Sequence, residues 1–328
     1  MKKTLPWSPK QIPLMLAPMQ GLTNRALRSL FIEWVRPDVV FTEFVRVRPG
    51  SKQAISDADK KEVAFISGGA PLVVQLIGRD QEALIAATHD VQELGAEHLN
   101  INLGCPYGRM TSHSAGGALL KDPTGLPKTL EALRQEIQGS FSIKMRAGYE
   151  NPRQVFELLP IFEETGVDFI IIHPRTVVQK YGGEADHSIT KEMRQQTNLP
   201  VIANGDIFSA AKAKQVLSET HAHGLMLGRG AIADPLLFER IRGKAPATSS
   251  PAERADELRR YLQELLRRYK ELFCGDMQIL CKMKEVLCQI NDPEFATSIR
   301  NLKRSKKINP FCDLIDQIAP ETKATALT

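Results

Sequence analysis

An α/β fold, a (β/α)8 TIM barrel followed by a small helical bundle, is predicted by three features of this 328-residue sequence. Eight short apolar runs recur over about the first 240 residues, and amphipathic stretches lie between them. A segment rich in Pro, Ala and Ser then precedes a purely helical pattern.

The runs are LMLAPM (14–19), VVFTEF (39–44), LVVQLIG (72–78), HLNINLG (98–104), FSIKMRAG (141–148), FIIIHPR (169–175), PVIANGD (200–206) and GLMLGRG (224–230). Most are apolar throughout rather than alternating, as parallel strands covered on both faces require. NRALRSLFIEWV follows the first run, DQEALIAATHDVQELG the third, PTGLPKTLEALRQEI the fourth, NPRQVFELLPIFEETG the fifth and SAAKAKQVLSET the seventh, each with helical spacing of apolar residues. Eight strand–helix units in this length match a (β/α)8 barrel. A doubly wound sheet is the alternative, but no GxGxxG follows the first run.

The barrel is expected over residues 1–242 and a linker, GKAPATSSPAERA, over 243–255. Ser250 before Pro251 reads as a helix N-cap. A helical domain is expected over 256–318, with ADELRRYLQELLRRYKELF, MQILCKMKEVLCQI and PEFATSIRNLKRSKK as its helices. Residues 319–328 read as a disordered tail.

Composition is that of a globular chain, 42% hydrophobic and 25% charged. No apolar run approaches the ~20 residues that span a bilayer, and the N-terminus lacks the apolar core of a signal peptide. Five cysteines do not suggest a disulfide framework, so a reducing cytoplasm is expected. Cys274, Cys281 and Cys288 recur every seven residues, about 10.5 Å apart along a helix. That is too far for one metal ion, and a buried apolar stripe is expected instead. The histidines show no metal-ligand pattern. From Arg240 onward there are 17 basic and 12 acidic residues, so the whole formal charge of +5 resides in this end. A confined basic excess suggests a polyanion partner, with solvated helix faces as the plain alternative.

Barrel active sites lie at the C-terminal ends of the strands. Polar residues stand there in this sequence: Glu43, Gln75, Asn102 and Cys105, Lys144 and Arg146, His173 and Arg175, Asn204 with Gly205 and Asp206, and Gly228 with Arg229. NGDI and GRGAIADP follow the seventh and eighth runs, where backbone N–H groups and an arginine suit a phosphate. Lys144 supplies positive charge to an electron-rich ring, and Gln75 and Asn102 suit an imide edge.

The series LAPMQGLTN, TEF, QLIG, NLGCP, SAGGALLKDP, KMRAG, HPRT, YGGEAD, ANGDI and GRG resembles the dihydrouridine synthases, flavin enzymes that reduce uridine in tRNA. The resemblance covers nearly the whole barrel and implies an FMN-binding (β/α)8 barrel with a small helical bundle. It implies that Pro18, Met19 and Gln20 line the flavin ring. Gln75, Lys144 and His173 would hydrogen-bond the isoalloxazine, and Asn204, Gly205, Asp206, Gly228 and Arg229 would hold the ribityl phosphate. Asn102 and Arg175 would position the uracil, with Tyr181 near the bound nucleotide. NADPH would reduce the flavin, hydride would go to uracil C6, and Cys105 would protonate C5. A thiol, with an ordinary pKa of ~8.5, suits that task. YGRMTSHSAGG, after Cys105, reads as a mobile lid.

TEFVRV and KMK are similar to the bacterial subgroup acting on tRNA position 16, in which Arg46, Lys282, Lys284, Arg300 and Lys303 would grip RNA. No protein partner is implied, and a monomer is expected. Three departures from the family pattern touch the substrate region: Asn100 where Asp is frequent, Gly108 for a basic residue, and His187 for a tryptophan. A flavin dehydrogenase of a free pyrimidine, an enzyme acting on ribosomal RNA, and an RNA-binding barrel without flavin remain as alternatives.

Overall fold

The computed structural model describes residues 4–51, 53–64, 68–106 and 115–321. All eight expected runs form parallel strands: β1 (Leu14–Leu16), β2 (Val39–Phe41), β4 (Leu72–Ile77), β5 (His98–Leu103), β6 (Ser140–Gly148), β7 (Phe169–Thr176), β8 (Val201–Asn204) and β9 (Gly224–Leu227). β1 pairs with both β9 and β2, and β2 pairs with β4, so the sheet closes into a barrel. A two-residue strand, β3 (Val45–Arg46), runs beside the end of β4.

The helices α1 (Arg25–Val35), α3 (Gln81–Glu93), α4 (Leu126–Glu136), α5 (Gln154–Glu164) and α7 (Ala210–Thr220) occupy the five expected amphipathic stretches. Side chains of Asn24, Asp80 and Ser209 cap α1, α3 and α7, each worth about 1 kcal/mol. Between the strands, α2 (Asp57–Val63) and α6 (His187–Gln196) also form and were not foreseen. In α6 the buried apolar side chains are only Ile189 and Met193, too few for a visible stripe.

Strand alternation, hidden in the sequence by apolar residues on both faces, divides the core. Leu14, Leu16, Val40, Val74, Leu99, Ile143, Ile170 and Leu225 point outward into the layers beneath the helices. Met15, Ala17, Val39, Phe41, Val73, Phe169, Ile171, Ile202 and Met226 fill the barrel. Trp7 packs edge-on against Phe169, centroids 4.8 Å apart. The next inward positions toward the strands' C-termini are polar: Gln75, Asn102, Lys144, His173 and Asn204. This layer forms the mouth of the barrel.

After β9 come α8 (Arg229–Ala233), α9 (Leu237–Ile241), α10 (Pro251–Leu272), α11 (Asp276–Leu287), α12 (Ala296–Arg304) and α13 (Ile308–Asp316). Ser250 caps α10 in a reciprocal box with Glu253. The helix therefore begins at Pro251, inside the segment expected as linker. α13 was not foreseen. Leu258, Tyr261, Leu262, Leu265 and Tyr269 of α10 share one apolar cluster with Leu27, Leu30 and Phe31 of α1. Arg268 reaches Ser29 at 2.8 Å, and Arg242 donates to the carbonyls of Val35 and Arg36. These contacts clamp the helical segment to the first β/α unit.

The cysteine stripe is corrected: Cys274, Cys281 and Cys288 are all exposed. Gly275, at φ 84°, stops any continuous helix through Cys274. The buried face of α11 is Ile279, Leu280, Met283, Val286 and Leu287, which leaves Cys281 outside. The expected disordered tail lies mostly outside the described residues, which end at Glu321. Among the described residues no helix is long and apolar enough to cross a membrane, and no acidic, His or Cys group could hold a metal ion.

The Tyr261 hydroxyl is fully buried and has no hydrogen-bond partner among the described residues. Leaving a buried hydroxyl unpaired costs about 1–3 kcal/mol. Tyr261→Phe is expected to raise the thermal midpoint, read by differential scanning calorimetry.

Candidate active site

A one-way series of amide hydrogen bonds crosses the barrel mouth from β5 to β6. The backbone N–H groups of Gly104 and Cys105 donate to Asn102 Oδ1 at 3.0 and 2.9 Å. Asn102 Nδ2 donates to Gln75 Oε1 (2.8 Å), Gln75 Nε2 to Asn100 Oδ1 (2.7 Å) and Asn100 Nδ2 to Ser142 Oγ (2.8 Å). Ser142 Oγ ends the series on the carbonyl of Leu99 at 3.2 Å. Asn100 needs both an acceptor and a donor here. An amide supplies both, whereas an ionised carboxylate only accepts. Asn100 therefore has both of its amide ends paired. Gln75, 1% exposed, has both its amide ends engaged in this series.

Cys105 is half-buried at the end of the series and packs beside Ile77 and Ala115. Its carbonyl accepts from Gly117 N at 3.2 Å. A Cβ on Gly117 would sit 2.7 Å from Val177 and 2.9 Å from the Cys105 oxygen, so the second glycine of SAGG permits this approach. The expected lid falls mainly on residues 107–114, and Gly108 with it; both lie outside the described residues.

The elements that follow β5 carry a group of cations, beginning on the adjacent strand β6. Lys144 Nζ donates to Asn204 Oδ1 at 3.0 Å, and Asn204 Nδ2 to the Met226 carbonyl at 2.8 Å. Burial, helped by Arg146, brings the Lys144 pKa down to about 8. His173 is held neutral by burial and by the charges of Lys144, Arg146, Arg175 and Arg229. Arg175, 2% exposed, grips Asp206 through two bonds of 3.0 and 2.6 Å. Arg229 reaches the same carboxylate at 2.9 Å. Burial opposes ionisation of Asp206, but bonds from Arg175 and the Ala185 N–H, with the charge of Arg229, keep its pKa below the usual range. Asp206 therefore anchors both guanidinium groups, and Arg175 also donates to the carbonyls of Gly182 and Gly183.

Gly205, at φ 126°, lies where a Cβ would come within 2.9 Å of His173. His187, the third departure, supports it: Nε2 lies 3.0 Å from the Gly205 carbonyl.

Pro18, Met19, Lys144, His173, Asn204 and Arg229 line one cavity, with Gly205, Asp206, Gly228 and Tyr181. Tyr181 is 43% exposed and lies under the Arg229 guanidinium, 4.4 Å from the ring centroid. Gln20 is exposed on the turn above. Ala17, Met19 and Met226 give the cavity an apolar wall, and Lys144 and Arg229 give it positive charge. That combination fits a flat ring carrying a phosphate tail.

The turn after β1 is held from both sides. Gly21 N donates to Glu43 Oε2 at 2.8 Å, and Lys282 Nζ donates to the Gly21 carbonyl at 3.1 Å. Burial raises the Glu43 pKa to about 7 against the bond from Gly21; Glu62 adds to the rise, while Lys282 and Arg28 oppose it. A carboxyl raised from 4.5 favours the native state when protonated, so its contribution is lost as pH climbs toward 7. Glu43→Gln is expected to flatten the dependence of thermal midpoint on pH between 5 and 8 and to stabilise the protein at pH 8. An unchanged profile would remove Glu43 as its source.

The expected RNA contacts separate into two groups. Lys282 also pairs with Glu285 at 2.8 Å, and Lys284 Nζ donates to the Ser305 carbonyl at 2.6 Å. Both lysines thus brace the helical segment. Arg300 and Lys303, with Arg304, line a surface groove with Asn291 and Pro293. Lys303 and Arg304 form no ion pair among the described residues. Arg46 is exposed on β3.

The family model described as dihydrouridine synthase matches residues 15–314. The chain belongs to the dihydrouridine synthase family. It is 33% identical to tRNA-dihydrouridine synthase B of Pseudomonas syringae pv. tomato, over 77% of this chain and 75% of that one. It is also 33% identical to tRNA-dihydrouridine(16) synthase of Haemophilus influenzae, over 71% and 77%. Equal identity to both leaves the two subgroups unseparated. Histamine dehydrogenase from Rhizobium sp. 4-9 shares the fold, with a TM-score of 0.57 at 14% identity, covering 71% of this chain and 46% of that one.

Among the dihydrouridine synthase residues, sequence reasoning assigned no role to Asn100, Ser142, Glu43 or His187. Period-two counting back from Asn102 and Lys144 would have placed Asn100 and Ser142 inside the barrel. The parts played by Glu43 and His187 depend on contacts with distant segments.

Proposed function

We propose that this chain reduces uridine to 5,6-dihydrouridine in tRNA, using bound FMN recharged by NADPH. The observation that supports this reading is that Asn102 holds the Cys105 peptide N–H at the barrel mouth, on the strand next to that of Lys144, which lines the cavity with His173 and Arg229. Flavin held in that cavity by Lys144, His173, Asn204 and Arg229 would supply, when reduced, the hydride for C6 of the uracil. Lys144 and neutral His173 offer hydrogen bonds to the ring, and Arg229, anchored by Asp206, meets the phosphate. The Cys105 thiol delivers the proton to C5. Tyr181 flanks the entering nucleotide, which must leave its stack to reach the mouth. A cytoplasmic location follows from that substrate.

The test is mass mapping of dihydrouridine in RNA from cells with and without the gene. Loss at a D-loop uridine, position 16 among the candidates, supports the reading. Loss confined to ribosomal RNA, or unchanged RNA, refutes it.

The Arg300–Lys303–Arg304 groove favours an RNA substrate over a free pyrimidine, which needs no remote cationic surface. Arg300→Glu with Lys303→Glu is expected to weaken tRNA binding and to lower the salt slope by about 1 for each phosphate the variant no longer holds. Flavin absorbance should not change. Salt titration of tRNA affinity checks this.

A further inference from the structure

Arg146 lies two positions beyond Lys144 on β6 and is 2% exposed, among the largest fully buried side chains of the protein. Its Nε donates to the Gly104 carbonyl at 3.0 Å. That carbonyl belongs to the same peptide unit as the Cys105 N–H, which Asn102 Oδ1 holds at 2.9 Å. The plane of the peptide that carries Cys105 is therefore gripped at both poles, by Asn102 from one side and Arg146 from the other.

The far end of the guanidinium grips a different segment. Arg146 Nη1 donates to the Thr176 carbonyl at 2.9 Å and to the Lys180 carbonyl at 2.5 Å. Its charge also lies 5.4 Å from the Tyr181 ring centroid. Lys180 sits at φ 52°, a left-handed conformation that a residue with a Cβ adopts only when its surroundings impose it. The Arg146 bond to the Lys180 carbonyl is such a constraint, and the next residue along the chain is Tyr181.

We propose that Arg146 is a positioning residue for the protonation step. It sets the Cys105 peptide and the Lys180–Tyr181 turn in one fixed register, so that the acid and the aromatic ring beside the target base keep a constant separation. This rests on the tRNA-reduction reading above. Arg146 is not itself among the residues lining the flavin cavity, but it meets that lining at Tyr181 and its charge acts on Lys144 and His173, so the flavin half-reaction is measured beside the tRNA-driven one.

The test uses the purified, flavin-loaded protein in anaerobic stopped-flow. Flavin bleaching by NADPH reports the first half-reaction, and tRNA-driven return of flavin absorbance reports the second. Arg146→Met is expected to keep its flavin and to slow the tRNA-driven step by about 10²-fold, the scale of a 1 Å misplacement, far more than it slows bleaching by NADPH. Arg146→Lys keeps the charge and can reach only part of the three carbonyls, so it should recover much of that loss. Because the effect passes through Cys105, adding Arg146→Met to Cys105→Ala should cost little more than Cys105→Ala alone.

A wild-type tRNA-driven rate in Arg146→Met overturns the proposal, as does a loss fully additive to that of Cys105→Ala. If Arg146→Met does not fold, Arg146→Gln, which loses the charge and reaches fewer of the carbonyls, takes its place, and a wild-type tRNA-driven rate in it overturns the proposal equally. Failure of the underlying reading looks different: the unmutated flavoprotein would then show no tRNA-driven return of absorbance.

Discussion

Cys105→Ala is expected to remain flavin-loaded and to lose dihydrouridine formation by about 10²–10⁴-fold, the usual worth of a positioned acid. The side chain lies against Ile77 and Ala115 rather than in the cavity wall, so its removal spares flavin binding. The backbone survives the change, because Asn102, Gly117 and Arg146 hold it through main-chain atoms. On the proposed reading, what disappears is the proton for C5. Absorbance of the purified variant and mass spectrometry of its tRNA product measure the two halves of this expectation. Full product formation would end the proton-donor role.

Asp206→Ala carries the second large effect, on stability and flavin retention together. It strips the carboxylate from Arg175, which is 2% exposed, and from Arg229, which is 30% exposed. Breaking a buried pair from one side costs about 3–5 kcal/mol. Asp206 itself keeps 21% exposure, which draws the cost toward the lower figure. Arg229 then loses the bond that aims it across the cavity, so flavin should dissociate more readily. Asp206→Asn should be milder. It keeps an acceptor, and asparagine tolerates the φ of 51° at this position. The carboxyl pKa is depressed, so its stabilisation is present at neutral pH and fades as pH falls below about 4. Chemical denaturation at pH 7 and pH 3 should show the gap between wild type and Asp206→Asn closing in acid. A gap of equal size at both would show that the ion pair contributes nothing.

Much of this site was legible beforehand because barrel chemistry collects at strand ends. Lys144, His173, Asn204 and Arg229 were read from position along the runs, and the structure brings them to one cavity. The reading was less informative where a side chain faces protein rather than ligand. Gln75 has both amide ends bonded inside the barrel, Arg175 meets Asp206, His173 and two carbonyls, and Lys282 and Lys284 brace the helical segment. A residue type reports which bonds it can make, and its neighbours in space decide which ones it does make. The cysteines failed for a related reason. Seven-residue spacing implies one stripe only on an unbroken helix, and Gly275 breaks it.

By itself the sequence determined the eight-stranded barrel, the helical segment after it and the family, because these rest on local periodicity and on short motifs in order. Only the tertiary structure decided how Cys105 is held. Its peptide lies between Asn102 of β5 and Arg146 of β6, and Arg146 reaches on to the turn after β7. Those groups are up to 78 positions apart in the chain. Hydrogen bonds act over about 3 Å in space and carry no trace of sequence separation.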